Sequence, residues 1–139
     1  MEKVSLRVSL LNIQCLTSRR TNKLKSPELL YIFENNDIVC LTETWTDDFS
    51  DLVVNDFEHY VLNRVQKNPN AKRNSGGIII YVRSEFVSED THVFCSEDDI
   101  LCIRLRSTKV GLAQDLYILL CYVMPENSSR QAVNENCVC

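Results

Sequence analysis

The spacing of hydrophobic and polar positions changes several times along the chain, and each change marks an element. From Val4 to Asn12, Val4, Leu6, Val8 and Leu10 alternate with Ser5, Arg7 and Ser9. Leu11 then makes the run apolar on both faces, as in a strand entering a covered sheet. A loop carrying Arg19, Arg20, Lys23 and Lys25 closes at Ser26-Pro27, where serine can cap a helix and proline can take its first position. From Glu28 to Asn35, residues Leu29, Leu30, Ile32 and Phe33 share one broad helical face, ended by Asn35-Asn36. Ile38 to Thr42 follows as a second strand. Strand, helix and strand in this order predict a parallel pair with a right-handed crossover. Both strands then end on one sheet edge, with Asn12 and Glu43 side by side where α/β sheets build sites.

Past Trp45 the pattern becomes acidic and irregular (Asp47, Asp48, Asp51, Asp56) before the short apolar run Tyr60, Val61, Leu62. The segment Asn63 to Ser75 is turn-rich and basic, with Arg64, Lys67, Lys72 and Arg73 around Asn68-Pro69-Asn70. Gly76-Gly77 opens the β-branched strand Ile78 to Val82, and Ile100 to Leu105 and Leu116 to Val123 read as two more. Five strands with one clear helix imply a mixed α/β or α+β architecture.

Composition narrows this picture. At 139 residues and 45% hydrophobic, the chain suits one domain, burying about 70% of its unfolded surface. A formal net charge of -4 argues against a generally basic nucleic-acid coat, though local basic patches remain compatible with it. Met1 to Leu11 lacks the continuous apolar stretch of a secretory leader, and no run reaches transmembrane length. The seven cysteines are odd in number, and Cys40, Cys102 and Cys121 lie in apolar runs as small core residues would. These features together predict an intracellular protein, nuclear or cytoplasmic, with no membrane partner. Cys137 and Cys139 have no companion ligands in sequence and fall in a frayed tail, residues 130–139.

Candidate chemistry begins with Glu43, a carboxylate ending an apolar strand. It needs a partner, either a neighbouring Lys or Arg or a hard cation. Four stretches bear on the choice: NIQCL (Asn12 to Leu16), LTETW (Leu41 to Trp45), RNSGGIIIYVR (Arg73 to Arg83) and YVMPENSS (Tyr122 to Ser129). In this order they resemble the endonuclease/exonuclease/phosphatase superfamily, most closely the apurinic-endonuclease-like domains of non-LTR retrotransposons. The resemblance implies a four-layer α/β sandwich, of which residues 1–129 would supply the N-terminal portion, most of one sheet and little of the other. It implies that Asn12 supports the catalytic hydrogen-bond network, Glu43 binds Mg²⁺ and Tyr122 lies near the scissile phosphate. Gln14 stands where some repair members carry a second metal-binding Asp, so the expected Mg²⁺ site is weak and incomplete.

The family's later Gly-Asp-x-Asn and Ser-Asp-His motifs do not occur in these 139 residues. The cluster Asn55 to His59 reads as a solvated loop and His92 as a surface residue. The expected function is therefore a truncated Mg²⁺-dependent DNA endonuclease domain, inactive by itself. The alternatives are a non-catalytic interaction module and a phosphatase-type member of the superfamily. Arg19, Arg20, Lys23, Lys25, Arg64, Lys72 and Arg73 are candidates to grip DNA phosphates, or else simply solvated charges. No aromatic residues interleave with them to suggest base stacking. An incomplete sandwich should also leave an apolar sheet face uncovered, and with it a route to self-association.

Overall fold

The computed structural model describes residues 5–63, 76–96 and 99–123. Its first sheet contains β1 (Val8–Asn12), β2 (Ile38–Thr42), β3 (Phe57–Leu62) and β4 (Ile78–Arg83), in the spatial order β1-β2-β4-β3. β1 and β2 are parallel, with Asn12 opposite Thr42, and the other pairs are antiparallel. The second sheet is an antiparallel meander of β5 (His92–Ser96), β6 (Ile100–Leu105) and β7 (Leu116–Cys121). A short helix separates its last two strands.

Helix α1 (Pro27–Asn35) begins where the sequence places it: Ser26 Oγ accepts from Leu29 N at 3.3 Å and Pro27 is the first helical residue. Its C-terminal end is held by Arg83, whose Nη2 donates to the carbonyls of Phe33 and Asn36 while Nε meets Asp37 Oδ1 at 3.3 Å. The guanidinium also lies over the Phe57 ring at 4.8 Å, so one side chain ties α1, β2, β3 and β4 together.

Two cores follow from the two faces of the first sheet. Leu29 and Phe33 of α1 pack on Val39, Leu41, Ile79 and Tyr81, with Phe33 edge-on to Tyr81 at 4.9 Å. On the opposite face, Ile38, Cys40, Ile78, Ile80 and Val82 meet Leu101, Ile103, Leu105 and Leu120 of the second sheet. β2 and most of β4 are therefore buried on both faces, which explains why they lack alternation.

Several expectations need correction. Among the described residues, the second sheet has three strands against four in the first. Phe57 to His59 belongs to β3, with Phe57 buried, so the segment is not wholly a solvated loop. The last strand stops at Cys121. Cys40 is in the core, whereas Cys102 is half-buried and Cys121 exposed, because both point to the outer face of the second sheet. The backbone of His92 lies in β5. Arg64, Lys67, Lys72, Arg73, residues 124–129 of the final motif and the tail at 130–139 lie outside the described residues.

Candidate functional site

The parallel pairing of β1 and β2 continues past the strand ends. Ile13 N donates to Thr42 O, Cys15 N to Glu43 O and Leu16 N to Thr44 O, all at 2.9–3.0 Å. This zipper holds the Asn12 loop and the Glu-Thr-Trp turn together at one edge. Five non-glycine residues among those described have left-handed φ, and four of them are here: Gln14 (45°), Cys15 (72°), Glu43 (55°) and Trp45 (54°). Each such residue costs about 1–3 kcal/mol, and strain of this kind concentrates where a side chain must be aimed.

Glu43 is the residue so aimed. Trp45 Nε1 donates to its Oε2 at 2.5 Å, and the Tyr122 hydroxyl donates to its Oε1. Neutral donors thus hold both carboxylate oxygens and answer why a charged group can end a buried strand. Tyr122 comes from the other sheet, immediately after β7, so the site straddles the mouth of the sandwich. Asn12 is exposed at the end of β1 beside Thr42.

The Gly76-Gly77 pair packs directly on the turn. Trp45 N donates to Gly76 O and Thr44 N to Gly77 O. Gly77 has φ +88°, and a Cβ there would lie 2.6 Å from Thr44 Oγ1. Two motifs distant in sequence are therefore one structural unit. Beneath it, buried Thr46 donates to Asn63 Oδ1 at 2.8 Å, and Asn63 Nδ2 donates to Asp48 at 3.3 Å.

The basic loop divides among several tasks. Lys23 Nζ donates to the carbonyls of Ile13 and Gln14 at 2.7 and 2.8 Å, bracing the left-handed segment. Arg19 lines a groove of about 690 Å³ shared with Trp45 and Phe49, whereas Lys25 borders a different cavity against α1. Arg20 is exposed in the turn closed by Ser18 and Thr21. His59 pairs with Tyr81, three rungs from the Leu62–Ile78 end of the strands that adjoins the site, or about 10 Å along β3.

Matched against known families, residues 11–131 fit the model of the Endonuclease/Exonuclease/phosphatase family. The chain belongs to this family. A search of curated proteins returned no match. Family membership agrees with the two-sheet α/β architecture and makes the phosphodiester-cleaving or phosphate-releasing class the relevant chemistry. Members generally depend on a metal ion. Among the described residues, no group of three or more His, Cys, Asp and Glu could enclose one. Glu43 nevertheless fits as a single anionic ligand, since each carboxylate oxygen keeps a lone pair after accepting one hydrogen bond. Such a site leaves most of the coordination to water and amides, which suits a hard cation that dehydrates reluctantly.

Sequence reasoning gave Trp45, Asn63 and Phe49 no role. Trp45 had a readable signal, as the last residue of the quoted turn. The other two become visible only when the loops are brought together.

Proposed function

We propose that this chain carries the metal-side half of a retrotransposon-type DNA endonuclease site and is inactive by itself. The observation that carries this reading is the strained, doubly hydrogen-bonded Glu43 at the edge of the parallel pair. The Glu-Thr-Trp and Gly-Gly-strand pattern, with Gln14 in place of a second acid, favours the retroelement branch over the phosphatases. When bound at Glu43, Mg²⁺ would neutralise phosphate charge and polarise a water. Tyr122 and Trp45 fix the carboxylate, while Asn12 offers an amide at the same edge.

Among the described residues, no histidine stands beside Glu43 to act as a general base. The sequence contains two histidines; His59 is remote from Glu43, and His92 lies in β5 of the second sheet. Positioned acid–base groups contribute about 10²–10⁴-fold each, which residual metal polarisation does not replace. Calorimetric titration with Mg²⁺ should show weak binding that Glu43→Gln abolishes, and supercoiled plasmid should remain intact. Equal binding by both proteins would remove Glu43 from the site. Mg²⁺-dependent nicking that Glu43→Ala abolishes would overturn the inactivity.

A second reading, an interaction module, is favoured by a different observation. β7 has no strand partner on its outer side among the described residues, and the face it shares with β5 and β6 presents Phe94, Tyr117 and Leu119 to solvent. A second copy of this chain is the fitting occupant. Antiparallel pairing centred on Ile118 sets Tyr117 opposite Leu119 and Leu116 opposite Leu120 of the other copy, keeping inward residues inward.

A further inference from the structure

The groove beside Glu43 contains a feature that metal chemistry does not use. Phe49 is 95% exposed, yet its backbone sits in a built turn. Asp47 Oδ1 accepts from Phe49 N at 2.9 Å and from Ser50 Oγ at 3.2 Å, and Ser50 N donates back to Asp47 O at 3.2 Å. Thr17 Oγ1 donates to Ser50 Oγ at 3.3 Å and anchors the turn to the loop after β1. A large apolar ring is thus presented to solvent by a fixed backbone.

We propose that this groove is a nucleobase subsite, in which a base of single-stranded or unstacked nucleic acid stacks on Phe49 while its backbone runs toward Glu43. The proposal rests on the phosphodiesterase reading and adds the part of the substrate that is recognised. Three observations carry it. The groove, about 690 Å³, lies within the range of about 300–1,000 Å³ typical of small-ligand sites. It adjoins the Glu43 site through Trp45, which lines the groove and whose Nε1 donates to the carboxylate. Its remaining wall is polar and of mixed charge, with Thr17, Ser18, Asn22, one cation, Arg19, and two carboxylates, Asp47 and Asp51. Hydroxyls, an amide and carboxylates suit the donor edge of a base, and the single guanidinium suits one flanking phosphate. Aromatic residues therefore do accompany a basic residue here. They come from residues 45–49 and meet Arg19 only in space.

Stacking on an aromatic side chain is sequence-tolerant and worth about tenfold in affinity per base. Trp45 is the sole tryptophan in the chain, so its emission reports occupancy directly. The full chain would be titrated with a short single-stranded deoxyoligonucleotide and with an abasic strand of equal length and charge. The base-bearing strand should bind about tenfold more tightly and change Trp45 emission. Phe49→Ala should erase that advantage without altering affinity for the abasic strand, and Phe49→Tyr should retain it. Equal affinity of the wild type for both strands would overturn the subsite but leave the phosphodiester reading standing. Failure to bind either strand would sink both.

Discussion

At the scale of single residues, the site is held by geometry that no individual side chain could maintain alone. Glu43 has left-handed backbone, and its turn is kept in place by the hydrogen bonds to Gly76 and Gly77. The position where a side chain is least tolerable is Gly77. Alanine there would bring Cβ within 2.6 Å of Thr44 Oγ1 and also occupy φ +88°. Gly77→Ala should therefore lower stability by about 1–3 kcal/mol and weaken any Mg²⁺ response at Glu43. Urea denaturation with Mg²⁺ titration checks both. Adding Thr44→Ala removes the atom met by the new methyl, so the double variant should regain part of the loss but retain the backbone strain. A double variant no better than Gly77→Ala alone would show that the contact with Thr44 is not what forbids a side chain.

At the scale of elements, β1, α1, β2, β4, β6 and β7 were legible in the sequence because their patterns have simple causes, β7 ending two residues early at Cys121. β2 and β4 are apolar throughout, and α1 has a serine cap and a proline start. β3 and β5 were not legible, and both are edge strands. Glu58 and His59 interrupt the apolar pattern at the start of β3 and disguised it as loop. The site divides in the same way: Asn12 and Glu43 could be placed at one sheet edge from the topology, where Asn12 lies opposite Thr42, whereas Trp45, Phe49 and Arg19 converge through turns that periodicity does not encode. Burial of β2 on both faces also has a titratable consequence. It pushes the Cys40 thiol from an ordinary 9.0 up to about 11, by desolvation. The folded state then keeps its proton longer than the unfolded state. Stability is full below pH 9 and falls as pH rises toward 11, by up to about 3 kcal/mol. Burial raises Tyr81 as well, so the decline continues in stronger alkali. Urea midpoints from pH 8 to 11 should show this slope, and Cys40→Ala should flatten its first part. An unchanged slope would assign the alkaline transition elsewhere.

At the scale of the whole molecule, the two sheets do not cover one another completely. Val8 and Leu10 lie on the face of β1 turned toward the second sheet, as their partners Ile38 and Cys40 show, yet they are 55% and 66% exposed. The second sheet stops short of β1, and the outer edge of β7 is open among the described residues. An open strand edge bearing exposed Tyr117 and Leu119 is a template for another strand. Pairing of β7 with β7 of a second copy would extend an antiparallel sheet without moving any inward residue outward. Sedimentation velocity across a concentration series should then show a reversible dimer. Tyr117→Lys with Leu119→Lys places like charges directly opposite one another and should weaken the dimer by at least about tenfold. Circular dichroism should show the fold of that variant intact, since both positions face solvent. The corresponding double Glu variant should also be monomeric alone, but mixing the Lys and Glu forms should restore the dimer, because each Lys now meets a Glu across the two-fold. Non-specific adhesion of an apolar face would be weakened by either variant without this exchange, so a mixture that remains monomeric would refute pairing through β7.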